Sequence, residues 1–160
     1  MMQATKTIAP APIRKTVRVK ASRETAFRTF LGAMGSWWPK SHSLLGSPQK
    51  DVVVEPKVGG RWYEIGEDGS EYEWGRVLAW DAPNRVLLAW QLNGEWQYDT
   101  DFETEVEIRF EPDGDGTRVE FEHRGLEAFD RTARDGHVMG MDEGWGTILE
   151  GYRQAADAGE

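Results

Sequence analysis

The chain has 160 residues, of which 39% are hydrophobic, and its 28 acidic and 19 basic side chains give a formal charge of −9. This length and composition predict a single globular domain with enough apolar material for a core. A net anion is repelled by phosphate backbones and by anionic lipid, so we expect no nucleic-acid binding and no membrane association.

Cysteine is absent from the sequence, which excludes disulfides, thiolate metal sites and cysteine nucleophiles. This composition fits a reducing compartment, and we expect a soluble cytoplasmic protein. Residues 1–12 lack the long apolar core of a secretory signal, and we interpret them as a disordered tail. The folded domain is predicted to cover residues 13–157.

Short elements open the predicted domain. Residues 13–20 alternate between apolar and polar side chains, which predicts a half-buried strand. Ser22 is typical of an N-cap and predicts a helix over residues 24–31. The sequence WWP at residues 37–39 predicts a second short helical turn, because proline cannot continue a helix.

From residue 51 the hydrophobic period changes to two, which indicates β-structure. Turn sequences such as the DGDG of residues 113–116 separate the segments, and connections this short join antiparallel neighbours. Six strands are predicted, over residues 52–55, 60–66, 71–80, 85–92, 102–111 and 116–124.

A long amphipathic helix ends the predicted domain, over residues 142–157. Four apolar side chains recur there at helical spacing: Trp145, Ile148, Leu149 and Tyr152. Asp142 is a candidate N-cap, although we expect the helix to begin somewhat earlier, within residues 135–141. Because no other long helix follows the strands, we expect this one to lie across the concave side of a twisted antiparallel sheet.

This order of elements, together with several local motifs, resembles the family related to the C-terminal domain of the activator of the Hsp90 ATPase (activator of Hsp90 ATPase homologue 1-like). That family belongs to the START-like (SRPBCC, Bet v 1-like) group, which includes polyketide cyclases and lipid-transfer domains. The motifs that carry the resemblance are WWP at residues 37–39, VVEPKVGGRWYE at 53–64, WGRVLAW at 74–80, EVEIRF at 105–110, TRVEFEHRGL at 117–126 and GWGTILEGY at 144–152.

The resemblance implies an α+β, helix-grip fold: a curved antiparallel sheet of about seven strands around the C-terminal helix, with two short helices after the first strand. START-like folds bind hydrophobic ligands between helix and sheet, so the leading hypothesis is a pocket for a small hydrophobic or aromatic ligand. The residues predicted to form that ligand-binding site are Trp62, Trp74, Trp90, Phe121, His123, Trp145 and Tyr152. The alternative is that the eight tryptophans, Trp80 among them, simply fill the core.

His123 is the one ionisable side chain predicted on the covered face of the last strand. It could orient a ligand or act as a general acid/base, or it could be a half-buried histidine hydrogen-bonded at a strand end. No orienting partner is identifiable, so no catalytic residue is assigned. His42 and His137 fall in predicted loops without metal-ligand spacing, and we expect no metal and no cofactor.

Two further functions stay open on the sequence alone. A co-chaperone or homodimer of the kind that the family name implies would use a protein-interaction surface. That surface would be either Trp37-Trp38 or the alternating carboxylates of residues 99–107, which we interpret as a solvated outer face. A cyclase- or hydrolase-like enzyme would use His123 in a shielded pocket.

Overall fold

The computed structural model describes residues 10–130 and 134–159. Most of the predicted tail therefore lies outside the described residues. Strand β1 (Ile13–Val19) is followed by helix α1 (Arg23–Phe27), a π-helical turn (Arg28–Gly32), helix α2 (Met34–Trp37) and a 3₁₀ turn (Lys40–His42). As predicted, Ser22 caps α1: its Oγ accepts the backbone N–H of Thr25 at 3.2 Å.

Six further strands and the long helix complete the chain. Their bounds are β2 Gln49–Val54, β3 Arg61–Gly66, β4 Glu71–Asp81, β5 Arg85–Trp90, β6 Thr104–Asp113, β7 Gly116–Arg124 and α3 Arg134–Ala158. A 3₁₀ turn, Leu126–Ala128, lies between β7 and α3. The β7 bounds match the prediction, while β2 begins three residues earlier than predicted and β6 begins two residues later.

The strands form one antiparallel sheet in the order β1-β7-β6-β5-β4-β3-β2. β1 pairs with the last strand, β7, while β2 to β7 follow one another as a meander. Register shifts interrupt the ladders β2–β3, β3–β4 and β4–β5, and bulges of this kind increase local bending. Gly75 is required at one of them, because a Cβ there would lie 1.7 Å from the carbonyl oxygen of Ala89. The predicted helix-grip architecture is confirmed.

Helix α3 buries the predicted apolar stripe against the concave face of this sheet. The Tyr152 ring lies 4.7 Å from that of Phe30, and the Trp145 ring lies 4.5 Å from that of Phe121. The described part of the chain contains no helix long and apolar enough to cross a membrane.

Four details of the sequence-based prediction are wrong. Asp142 is not an N-cap, because α3 already begins at Arg134; it lies inside the helix and forms an ion pair with Lys15. For the same reason His137 is helical and does not lie in a loop.

The other two errors concern surfaces. Trp37 and Trp38 do not offer an exposed docking patch: they are 7% and 5% exposed and pack into the core. Glu107 does not belong to a solvated face, since it is 7% exposed and lies beneath Arg85 and Arg124, both of which form ion pairs with it.

Candidate functional site

A cleft of about 230 Å³ opens between α3, strands β4 and β5, and the segment that follows α2. Most of its wall is aromatic or aliphatic: Trp38, Leu44, Trp74, Trp90, Leu92, Trp96, Met141, Trp145 and Ile148. The remaining lining residues are small or polar: Ser41, His42, Ser43, Gly140 and Gly144. None of the lining residues is Asp, Glu, Lys or Arg, so the cleft suits an uncharged apolar molecule.

Three of the seven residues predicted for the ligand-binding site line this cleft: Trp74, Trp90 and Trp145. Trp62 stands directly behind two of them, with its ring centroid 5.6 Å from those of both Trp74 and Trp90. Phe121 lies in the same position behind Trp145, at 4.5 Å. Trp74, Trp90 and Trp145 form part of the wall of the cleft, and Trp62 and Phe121 pack against them from behind.

The other two predicted residues have different positions. His123 is behind the cleft, with its ring 5.3 Å from that of Trp90. Tyr152 lies farther along α3 and does not border the cleft; its hydroxyl donates to the carbonyl oxygen of Ala26 at 2.9 Å. Trp80 also lies elsewhere, in edge contact with Phe27 at 5.3 Å.

His123 is fully buried and links the elements around the cleft through a chain of hydrogen bonds. The indole N–H of Trp145 donates to its Nδ1 at 3.1 Å, so Nε2 carries the proton and donates to Oγ1 of Thr104 at 2.8 Å. The Thr104 hydroxyl donates in turn to the carbonyl oxygen of Trp90 at 3.4 Å. The chain joins α3 to β7, β6 and β5 and sets the positions of two tryptophans in the wall.

Burial lowers the pKa of His123 to about 3, with a smaller contribution from the charge of His137. The imidazole is therefore neutral at physiological pH, which suits the hydrogen-bond directions just described. Because both ring nitrogens are engaged, this arrangement makes His123 a positioning group for the wall of the cleft.

Glu64 has an equivalent role on the other side of the cleft, and sequence reasoning missed it. Its buried carboxylate accepts hydrogen bonds from Ser43 Oγ at 2.6 Å, Leu44 N at 2.8 Å, Gln49 Nε2 at 3.0 Å and Trp74 Nε1 at 3.1 Å. Three of these four donors belong to residues that line the cleft. The carboxylate therefore fixes both a tryptophan of the wall and the segment after α2.

Trp96, in the loop between β5 and β6, lines the cleft and is 40% exposed. Its ring lies 6.1 Å from Trp90 and 5.0 Å from His137. Its φ is 60°, which is strained for a bulky residue. Two hydrogen bonds stabilise this backbone conformation. The carbonyl oxygen of Asn93 accepts the Trp96 backbone N–H, and the Tyr72 hydroxyl donates to the Trp96 carbonyl oxygen. Strain of this kind clusters at ligand-binding sites.

Two glycines keep the helical side of the cleft open. A Cβ at Gly140 would meet nothing within 4 Å, and one at Gly144 would meet only the His42 ring at 3.8 Å. Packing therefore requires neither glycine, although each lowers helix propensity by about 1 kcal/mol relative to alanine. Their structural effect is to leave space along α3 at the cleft.

Sequence reasoning also missed Trp38, the segment 41–44 and Trp96 as parts of the lining. Glu64 carried a recognisable signal, because it lies two residues from Trp62 on β3 and so faces the same side of the sheet. The others lie outside the strands, where no periodicity indicates which way a side chain points. Among the described residues, no group of three or more His, Asp or Glu side chains is placed to hold a metal ion.

A family model described as activator of Hsp90 ATPase homolog 1-like protein matches residues 20–156. No curated protein matches the chain.

Several solved structures are similar. The anthrahydroquino-γ-pyrone synthase Txn09 is 39% identical, with 84% of this chain and 88% of that chain covered and a TM-score of 0.59. The self-sacrificing resistance protein CalC from Micromonospora echinospora is 35% identical, with 92% and 94% covered and a TM-score of 0.70. The Aha1 dimer from Colwellia psychrerythraea is 17% identical, with 94% and 99% covered and a TM-score of 0.66, and this likeness concerns the fold alone.

Proposed function

This chain belongs to the activator of Hsp90 ATPase homolog 1-like family, and from that premise we propose that it binds a small, uncharged aromatic molecule in the cleft beneath α3. The observation that carries the proposal is the cleft itself, which is walled by five tryptophans and lined by no Asp, Glu, Lys or Arg. Tryptophan faces favour flat aromatic partners, and an uncompensated charge would be costly among them.

The volume limits the size of the ligand. An engineered apolar cavity of about 150 Å³ binds benzene, whereas sites for drug-sized ligands begin at about 300 Å³. At about 230 Å³ the cleft suits a body of about two fused rings, with larger molecules extending through its open mouth.

One similar structure supports a small-molecule function. The synthase at 39% identity is named for an anthrahydroquino-γ-pyrone. We propose fused aromatic compounds as the ligand class of this chain. A step of bond formation is not part of the proposal, because His123 is neutral, buried and hydrogen-bonded at both ring nitrogens.

Filling the cleft from the helix tests the proposal. Naphthalene is the probe, measured by equilibrium dialysis against the wild type, Gly144→Leu and Gly146→Leu. Both substitutions replace a glycine of α3 and raise helix propensity equally, but Gly146 borders open space and does not line the cleft. We expect saturable binding to the wild type and Gly146→Leu, and binding at least about tenfold weaker to Gly144→Leu. Equal binding by all three proteins would place the probe elsewhere and refute the proposed site.

A further inference from the structure

Apart from the tryptophan indoles, the polar side chains that line the cleft are Ser41, His42 and Ser43, which are consecutive in the chain. The Ser43 hydroxyl already donates to Glu64, and Ser41 is exposed and hydrogen-bonds to His42. This leaves the His42 ring as the most available of these three side chains. The indole N–H of Trp90 also has no partner, but that atom is buried.

The His42 ring lies between Ser41 and Gly144 of α3. Its Nδ1 lies 3.0 Å from Oγ of Ser41, and its Cδ2–Nε2 edge faces α3 at Gly144, where a Cβ would lie 3.8 Å away. No described residue forms a hydrogen bond with Nε2. Gly144 therefore leaves room beside a ring nitrogen that has no partner in the described part of the chain.

Nε2 can act as a donor or as an acceptor. The Ser41 hydroxyl can donate to Nδ1, which leaves the proton on Nε2, or it can accept from Nδ1, which leaves Nε2 as an acceptor. An oxygen substituent on a ring, either a carbonyl or a hydroxyl, matches one of these two states.

We propose that His42 is the specificity-determining residue of the cleft, and that its Nε2 hydrogen-bonds a hydroxyl or carbonyl oxygen carried by a neutral aromatic ligand. The ligand then lies with its rings against Trp74, Trp90 and Trp145 and its oxygen toward the 41–43 segment. The inference rests on the proposed function and adds to it the orientation of the ligand and the chemical group that is recognised.

Matched probes isolate this hydrogen bond from ring packing. 2-Naphthol is compared with naphthalene, and 1-indanone with indane, by equilibrium dialysis against the wild type, His42→Phe and His42→Gln. The measured quantity is the affinity ratio within each pair, because the two members differ in their transfer from water. In at least one pair we expect the ratio to favour the oxygen-bearing probe about two- to tenfold more in the wild type than in His42→Phe. Glutamine can donate and accept, so His42→Gln should restore part of the ratio.

The outcomes separate this inference from the function on which it rests. Loss of the preference in His42→Phe, with naphthalene and indane still bound, supports the role of His42. Unchanged ratios in both pairs overturn it and leave the cleft as a binding site. Failure of all four probes to bind the wild type refutes the proposed function and this inference together.

Discussion

Two buried polar residues, His123 and Glu64, shape the cleft from behind its aromatic wall. Each is fully buried, and each is compensated by hydrogen bonds to the residues it positions. A buried polar group without such partners would cost about 1–3 kcal/mol. The position of the wall is therefore tied to polar contacts that the strand pattern alone does not reveal.

Burial of neutral His123 predicts acid sensitivity. Its pKa is about 3 in the folded chain and 6.5 for an unperturbed histidine, so between these values the unfolded chain binds the additional proton. The free energy of unfolding should fall as the pH falls below 6.5, by up to about 1.4 kcal/mol per pH unit. Burial lowers the pKa of His137 as well, which acts in the same direction.

Urea denaturation at pH 7, 6 and 5 measures this dependence. The window lies above the ordinary range of carboxyl titration, so Glu107 and Glu120, whose pKa values are lowered by arginine and threonine partners, contribute little there. The variant His123→Gln should show a shallower dependence on pH. A slope equal to that of the wild type would contradict the assignment.

At the scale of elements, the glycines of α3 have opposite roles. Gly151 allows close approach, because a Cβ there would lie 2.8 Å from the carbonyl oxygen of Trp37 in α2. Gly146 faces open space on the same helix. The contact with Trp37 explains why a residue of poor helix propensity lies within the buried part of α3.

We predict opposite changes in stability for two alanine variants. Gly151→Ala should lower the free energy of unfolding by about 1–3 kcal/mol, because the Trp37 backbone must move away from the added methyl group. Gly146→Ala should raise it by up to about 1 kcal/mol through helix propensity alone. Urea denaturation measures both, and an unchanged or raised free energy of unfolding in Gly151→Ala would show that the α2–α3 contact is not restrictive.

At the scale of the whole molecule, the cleft lies where α3 meets the sheet, between elements far apart in the chain. A ligand there contacts both layers of the fold at once. Binding should therefore be linked to global unfolding, because the unfolded chain has no cleft.

Thermal denaturation tests this linkage. A molecule bound at a concentration 100 times its dissociation constant should stabilise the folded chain by about 2.7 kcal/mol and raise the Tm. We expect this shift with naphthalene for the wild type and for Gly146→Leu. At the same naphthalene concentration, tenfold weaker binding leaves about half of this stabilisation or less in Gly144→Leu. A shift of the same size in Gly144→Leu would indicate a different binding site.

The sequence by itself determined the order of the elements, the bounds of β7, the buried stripe of α3 and the covered side of His123. Each depends on a period of two or 3.6, which local backbone geometry imposes on any chain that buries one face. It also predicted that aromatic residues from several strands and α3 would meet.

Only the tertiary structure decided which rings line the cleft. Trp62 and Trp74 both lie in strands and cannot be distinguished by sequence pattern, yet Trp74 lines the cleft and Trp62 packs behind it. The contributions of Trp38, His42 and Trp96 come from turns and loops, where side-chain direction depends on contacts distant in sequence. Curvature, long-range hydrogen bonds and the space beside a glycine are properties of packed layers, and no local period encodes them.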